Sequence, residues 1–296
     1  MTLSGEPRIG VALGGGSARG LAHIPFIEAM DELGLRPGVI AGTSIGALIG
    51  SGWAANMTGS ALRKHAIAVL GDVQTISGRI WSSHTRDLRK FFKQGLSMQL
   101  DPEDVVEAFL PEGFVRTFEE LRTPFFVVST DFLAWNQVVF DHGDLRPAIA
   151  ASIAVPSLFL PKRINGRLLV DGGVSNPLPL DIASAGVDLV IGIDVNGEPF
   201  IDPPLRVPSP LDVVTGSAQI MAHHLTAHMM AAYPPDIYVH PHLQKFQAHE
   251  FWRVRDILAA GDTEKERFKR ELGEAVDAFI AGKRRSALEE PPKRSR

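Results

Sequence analysis

The sequence predicts an α/β protein built on a largely parallel sheet with helices on its faces. Residues 8–13 form an apolar run that enters a glycine-rich loop and then a helical pattern ending at Gly34. A second apolar run, residues 37–41, precedes a serine turn and a further helical stretch of small residues. Strand, helix, strand and helix in this order are typical of parallel strands joined by helical crossovers.

Later segments continue this alternation. Further strands are predicted from apolar runs at residues 124–130, 137–140, 167–170, 189–193 and 237–239. Helices are predicted from their periodicity at residues 61–70, 102–110, 145–153, 211–232 and 262–281. Asp101 suits the N-cap of one of them, and Pro102 suits its first turn. The apolar side chains of residues 211–232 are expected to pack in the core, and the alternative is that they form part of an apolar surface that accepts acyl chains.

Composition narrows the class of protein. The chain has 296 residues, of which 45% are hydrophobic and 22% charged, as in ordinary globular domains. It contains no Cys, which excludes disulfides, thiolate metal sites and a cysteine nucleophile. The formal net charge of −4 gives no reason to expect a nucleic acid partner.

A single domain is expected over residues 6–282, because no repeat or change of composition marks a second one. Residues 283–296 form a charged, proline-bearing tail that is expected to be disordered. The chain shows neither a basic-then-apolar signal peptide nor an apolar run of about 18 residues. A cytoplasmic protein is therefore expected, and it could also contact the surface of a membrane.

The serine turn Gly42-Thr43-Ser44-Ile45-Gly46 is the first candidate for chemistry. Glycines two positions before and after Ser44 let the strand and the helix approach closely, so that a strained turn can expose the hydroxyl. The free N–H groups of the helix that follows favour developing negative charge. A nucleophile is favoured here, and close packing of small residues is the alternative.

The glycine-rich loop at Gly14, Gly15, Gly16 and Ser17 is the second candidate. Its backbone N–H groups could hold a phosphate or stabilise an oxyanion. The dinucleotide-binding pattern is incomplete, since its middle glycine is missing and no acidic residue follows the second strand. Arg19 either orients this loop and binds an anion, or is a structural arginine at the surface.

Asp171 is the third candidate, because it ends an apolar strand and precedes Gly172 and Gly173. Carboxylates at strand ends lie where α/β sheets bind ligands. Taken alone, this segment is better interpreted as an aspartate turn. Three other carboxylates near strand ends are weaker rivals: Asp131, Asp141 and Asp194.

Together, residues 13–20, 42–46, 150–159 and 171–172 resemble the patatin-like phospholipase family, and most of all its bacterial members related to the esterase domain of neuropathy target esterase. The resemblance covers residues 8–195. It implies a three-layer α/β/α fold with a largely parallel central sheet. It also implies that a Ser–Asp dyad hydrolyses acyl esters of lipids without a metal or organic cofactor.

The resemblance also assigns roles to residues of this chain. Ser44 would be the nucleophile and Asp171 the base. The oxyanion hole would be formed by Gly14, Gly15, Gly16 and Ser17, with supporting roles for Arg19, Gly42, Gly46 and Gly172. Ser17 stands where many members have glycine, which leaves the N–H donors in place if its φ is allowed.

Alternatives to the dyad remain open at this point. A Ser–Asp–His triad is compatible with the order of residues, although only two strands precede Ser44, fewer than an α/β-hydrolase fold needs. The candidate histidines are His223, His224, His228, His240, His242 and His249. His224 and His228 share a helix face without a carboxylate motif, so no metal site is expected. His23 is expected to pack or to donate a hydrogen bond.

Two alternatives come from other classes of function: a nucleotide-binding protein that uses the glycine-rich loop, and a non-catalytic lipid-binding or regulatory module. The partner expected of an acyl hydrolase or a lipid-binding module is a lipid or acyl ester, and the oligomeric state is not predicted. The basic residues of 86–93, beside Phe91 and Phe92, could touch anionic headgroups, although a solvated helix face is the simpler interpretation.

Overall fold

The computed structural model describes residues 5–71, 101–156, 158–197 and 210–289. The basic segment 86–93 lies outside these residues. The strands are β1 (Ile9–Leu13), β2 (Val39–Thr43), β3 (Phe125–Asp131), β4 (Asn136–Phe140), β5 (Lys162–Ile164), β6 (Arg167–Asp171), β7 (Leu189–Ile193) and β8 (Ile237–Val239). The helices are α1 (His23–Glu32), α2 (Ile45–Ala54), α3 (Gly59–Leu70), α4 (Pro102–Phe109), α5 (Leu145–Ser152), α6 (Leu180–Ala183), α7 (Pro210–Ala232) and α8 (Val254–Glu289).

The strands form one mixed sheet in the order β5-β6-β3-β2-β1-β7-β8, with β4 also paired to β3. Pairs among β3, β2, β1, β7 and β8 are parallel, and the pairs that include β4, β5 or β6 are antiparallel. Helices cover both faces, so the predicted three-layer α/β/α architecture with a largely parallel sheet is confirmed. Strand β5 was not predicted, because it is only three residues long and carries Lys162 and Arg163.

One edge of β3 is shared by two strands. Strand β2 pairs with residues 125–128 of β3, β6 pairs with residues 129–131, and β4 pairs with residues 127–131. A strand has only two edges, and β4 overlaps both of the others, so β2 and β6 lie end to end on the opposite edge. Thr43 is opposite Val128 and Asp171 is opposite Ser129. The carboxyl ends of β2 and β6 therefore meet one register position apart.

Both faces of the central strands are buried, as expected for a parallel sheet between helices. In β1, Ile9, Val11 and Leu13 face the larger core, which contains residues of α1, α2, α3 and α8. Ala12 faces a smaller core with Leu180 and Ala183 of α6. The small residues on this second face allow close approach of α6, since a Cβ on Gly10 would lie 2.0 Å from the carbonyl oxygen of Ala183.

The prediction that α7 packs in the core is wrong. Four of its large apolar side chains are 51–60% exposed: Val213, Val214, Ile220 and Met221. Among the α7 side chains that the structure describes, Thr226 alone is fully buried. The helix is apolar on its outer face as well as on its inner face, so periodicity could not show which face packs.

The terminal helix α8 is longer than the predicted 262–281. It includes residues 283–289, which were expected to belong to a disordered tail, because Lys, Arg, Ala, Leu and Glu in this stretch are good helix formers. Residues 290–296 lie outside the described part of the chain. None of the helices in the described part is long and apolar enough to cross a membrane.

Candidate active site

The hydroxyl of Ser44 and the carboxylate of Asp171 form a hydrogen-bonded pair where β2 and β6 meet. Ser44 Oγ donates to Asp171 Oδ2 at 2.6 Å, and both residues are only 6% exposed. Ser44 lies between β2 and α2 with φ 56° and ψ −124°, a conformation that L-residues rarely adopt. Such strain at a buried polar residue is typical of functional sites.

The turn depends on its two flanking glycines. A Cβ on Gly46 would lie 2.1 Å from the carbonyl oxygen of Leu13, and one on Gly42 would lie 2.7 Å from the backbone of Ala47. Strand β1, strand β2 and helix α2 therefore approach more closely than any side chain at these positions would permit. Close packing, which was the alternative to a nucleophile, is the means by which the turn is built.

The Asp171 carboxylate is fixed in place by its surroundings. Its Oδ1 accepts a hydrogen bond from the N–H of Gly173 at 2.7 Å, and its backbone carbonyl accepts one from Thr130 Oγ1 at 2.9 Å. Burial raises the pKa of Asp171 from 3.8 to about 6, although the hydrogen bonds from Ser44 and Gly173 oppose this rise. The carboxylate is thus more basic than a solvated aspartate and lies within reach of the Ser44 proton.

Ser152, at the end of α5, holds the backbone of Ser44. Its Oγ accepts a hydrogen bond from the N–H of Ser44 at 2.8 Å and donates one to the carbonyl oxygen of Val128 at 2.5 Å. The hydroxyl therefore bridges the strained turn to β3. Sequence analysis gave Ser152 no role beyond a matching segment, because a serine at the end of a small-residue helix has no motif of its own.

We expect Ser152→Ala to lower the free energy of unfolding by about 1–3 kcal/mol, because the buried N–H of Ser44 loses its acceptor. If Ser44 acts as the nucleophile that the sequence predicts, kcat for an acyl ester should also fall about ten- to hundredfold, since the turn is no longer held. Ser129→Ala is the matched control: its buried hydroxyl donates to backbone carbonyls but does not contact Ser44. Equal losses of kcat in both variants would contradict a positioning role for Ser152.

The glycine-rich loop lies against the serine turn, and its N–H groups divide into two pairs. The N–H groups of Gly14 and Gly15 donate to the carbonyls of Ile193 and Pro177 at 3.0 and 2.9 Å. Those of Gly16 and Ser17 make no hydrogen bond with the described residues. Only this second pair of the four predicted oxyanion donors is therefore available to a ligand.

The shape of the loop is set by close contacts. An ideal Cβ on Gly15 would lie 3.4 Å from the Cβ of Ser44, so the loop backbone adjoins Ser44. A Cβ on Gly16 would lie 2.4 Å from the carbonyl oxygen of Val195, so this position requires glycine. Ser17 has φ 52°, in the left-handed region that a serine can adopt at a modest cost.

His23 supports the loop, and Arg19 is buried beyond its end. The ring of His23 is fully buried and donates from Nε2 to the carbonyl oxygen of Gly14 at 2.9 Å. Burial lowers the pKa of His23 to about 4, so the ring is neutral, and its predicted hydrogen-bonding role is confirmed. Arg19 is 3% exposed and donates to the carbonyl oxygen of Phe246, so it is not the surface arginine of the alternative interpretation.

The rival carboxylates have structural partners instead. Asp131 accepts from the N–H groups of Leu133 and Ala134 in a turn, Asp141 pairs with His142 at the surface, and Asp194 accepts from the Tyr238 hydroxyl. Within residues 5–71, 101–156, 158–197 and 210–289, no histidine bonds to Ser44 or Asp171. In the same ranges, no group of three His, Asp or Glu side chains could hold a metal ion.

Comparison with known proteins gives a matching family model and several relatives. The family model "Patatin-like phospholipase" matches residues 11–184, more than half of the chain. An uncharacterized NTE family protein of Mycobacterium tuberculosis is 36% identical over 197 residues, which make up 66% of this chain and 51% of that protein. The human patatin-like phospholipase domain-containing protein 6 is 33% identical over 209 residues, 66% of this chain and 14% of that protein.

The chain thus spans about half the length of the mycobacterial relative and a small part of the human one. Among solved structures, VipD from Legionella pneumophila is similar with a TM-score of 0.49 at 14% identity, over 90% of this chain and 67% of that chain. Human GIVD cytosolic phospholipase A2 is similar with a TM-score of 0.47 at 13% identity, over 93% of this chain and 60% of that chain.

Proposed function

The chain belongs to the patatin-like phospholipase family, whose members are lipid hydrolases, and on that premise we propose that it is a serine acyl hydrolase that cleaves carboxylic esters of lipids. The observation that carries the proposal is the 2.6 Å hydrogen bond from Ser44 Oγ to Asp171 Oδ2 within a strained strand–helix turn. The substrates in this class include phospholipids, lysophospholipids and neutral acyl esters.

In the first half of the reaction, ionised Asp171 accepts the Ser44 proton as Oγ attacks the ester carbonyl carbon. The tetrahedral oxyanion accepts hydrogen bonds from the free N–H groups of Gly16 and Ser17. The N-terminus of α2, which begins one residue after Ser44, adds a favourable electrostatic contribution. Collapse of this intermediate breaks the bond to the alcohol, which leaves with the proton that Asp171 carried.

In the second half, water attacks the carbonyl of the acyl-serine. Asp171 accepts the proton of this water, and the same N–H pair holds the second oxyanion. When the intermediate collapses, Ser44 regains a proton from Asp171 and the carboxylic acid is released. Each group therefore returns to its starting state, and no cofactor is required by this cycle.

The environment of Asp171 explains why one carboxylate is enough. A solvated aspartate is a weak base, whereas burial shifts the pKa of Asp171 to about 6, nearer to neutral pH, where general bases are most effective. The carboxylate is nevertheless mostly ionised at pH 7. Within the proposal, the protein acts in the cytoplasm at the surface of lipid aggregates or membranes.

Labelling with a fluorophosphonate tests the proposal directly. We expect the reagent to modify Ser44 and no other serine, because only this hydroxyl is paired with a buried base among the described residues. Mass mapping of the labelled peptide identifies the site, and prior incubation with a lipid ester should slow the reaction. Absence of labelling, together with lipid binding that survives Ser44→Ala, would favour a non-catalytic lipid-binding module.

A further inference from the structure

The turn between β3 and β4 carries an exposed apolar tip, defined here as Phe132, Leu133, Ala134 and Trp135. The exposed fractions are 56% for Phe132, 69% for Leu133 and 91% for Trp135. Large apolar side chains scattered singly over a surface are ordinary, but three within four residues at a hairpin end form a patch. No charged residue occurs between Asp131 and Asp141.

Hydrogen bonds to Asp131 fix the conformation of the tip. Asp131 Oδ1 accepts hydrogen bonds from the N–H groups of Leu133 and Ala134, both at 3.0 Å. The N–H of Trp135 donates to the carbonyl oxygen of Asp131 at 2.9 Å. Trp135 has φ 55°, which is costly for a bulky residue and leaves its side chain almost wholly in solvent. The fold thus holds apolar side chains outward at an energetic cost.

The tip also lies at the same end of the sheet as the catalytic pair, beyond the carboxyl end of β3. Ser129 is opposite Asp171, and Phe132 follows three residues later, or about 10 Å further along the strand direction. The tip therefore projects beyond the catalytic pair on the side where β2 ends. Val174, three residues after Asp171, is 49% exposed and adds apolar surface next to the pair.

Cationic side chains lie at the base of the tip. Arg167 is 57% exposed, and its Nε lies 4.0 Å from Asp131 Oδ2. Arg163 is exposed, makes no ion pair with the described residues, and is opposite Leu168, whose carbonyl accepts from the N–H of Phe132. Aromatic and aliphatic groups at the end, with arginines behind them, match a bilayer in which acyl chains lie beneath anionic headgroups.

We propose that residues 132–135 insert into the surface of an anionic lipid bilayer, with Arg163 and Arg167 against the headgroups, and so place the Ser44–Asp171 pair at the membrane. This inference rests on the proposed function for its purpose. It goes beyond that function by naming the segment that contacts the lipid surface. It predicts that binding to a bilayer and turnover of a dissolved ester depend on different residues.

The test compares two variants of the full chain. The double variant Leu133→Gln/Trp135→Asn removes the two most exposed apolar groups, and Asn is well tolerated at positive φ, so folding should be kept. Leu33→Gln is the matched control: it removes an exposed leucine that follows α1, at the opposite end of the strands. Co-sedimentation is measured with vesicles of phosphatidylcholine alone and of equal parts phosphatidylcholine and phosphatidylglycerol.

The wild-type chain should sediment with the mixed vesicles and more weakly with phosphatidylcholine alone. The double variant should partition at least about tenfold less, because two apolar side chains lose their burial in lipid. The control should behave as wild type, and all three proteins should hydrolyse a short, dissolved acyl ester at the same rate. Equal partition of the double variant, or an equal loss in the control, would overturn the proposal.

The two readouts also separate this proposal from the proposed function. Vesicle binding that depends on the tip, without hydrolysis of any ester, would remove the enzymatic function and leave the membrane contact standing. Hydrolysis of the dissolved ester without binding of wild type to either vesicle would do the reverse, and would assign the tip to another kind of partner.

Discussion

If the proposed function is right, Ser44→Ala is expected to lower kcat for a chromogenic fatty-acyl ester by about four to six orders of magnitude, the loss that removal of the serine nucleophile causes in known serine hydrolases. The substitution removes the proposed nucleophilic oxygen, while Asp171, the Gly16 and Ser17 N–H groups and the fold remain. Turnover is followed spectrophotometrically. Ser51→Ala is the control, because its buried hydroxyl on α2 donates only to the Leu48 carbonyl.

A second substitution at this position tests whether the turn is strained. Ser44→Gly should be as inactive as Ser44→Ala but more stable than it by about 1 kcal/mol, because glycine adopts φ 56° and ψ −124° without steric cost. Glycine also has more freedom in the unfolded chain, which offsets part of the gain. If chemical denaturation showed the glycine variant to be the less stable one, the backbone at Ser44 would not be strained.

The order of elements and the main catalytic candidates could be predicted because they follow from local patterns. Apolar runs, glycines and helical periodicity place Ser44 after β2 and Asp171 after β6, and each motif is complete within a few residues. The crossover rule then brings successive parallel strand ends together, which relates Ser44 to the glycine-rich loop. The resemblance to the family supplied the pairing of Ser44 with Asp171, which no local pattern contains.

The features that could not be predicted depend on contacts between distant segments. Strand β6 meets β2 because both pair with one edge of β3, and this register is fixed only in the folded sheet. The engagement of the Gly14 and Gly15 N–H groups depends on Ile193 and Pro177, more than 150 residues later. The exposure of α7 depends on which of two apolar faces finds a partner.

Asp171→Asn is expected to lower kcat by about four orders of magnitude. Replacing the catalytic aspartate of a serine protease with asparagine has an effect of this size. Asparagine has the same shape: its oxygen can accept from Gly173, and its amide can donate to Ser44 Oγ. The geometry is therefore kept while the base is lost. Asp131→Asn, at the end of β3, is the control and should retain turnover of a dissolved ester.

The pH dependence of turnover by the wild-type protein should report the ionisation of Asp171. kcat/KM is expected to fall below about pH 6, because protonated Asp171 cannot accept the Ser44 proton. A carboxyl group ionises with little enthalpy, so this acid limb should stay in place as temperature changes, whereas a histidine limb would move. The pKa of His23 is about 4, so its ring is neutral near pH 6, where this limb is expected to begin. A limb that shifts with temperature would revive the Ser–Asp–His triad.

Stability should change in the opposite direction from activity. The folded protein keeps the Asp171 proton up to about pH 6, whereas the unfolded chain releases it near 3.8, so wild type loses stability as pH rises through this window. The ionised carboxylate then costs the folded state about 3 kcal/mol at neutral pH, which Asp171→Asn avoids. Urea denaturation should therefore show the variant to be more stable than wild type at neutral pH, with the difference fading below about pH 4. The burial that raises the pKa of Asp171 and suits it to the proposed role of base also destabilises the fold, and a variant that is inactive yet more stable would show both effects at one residue.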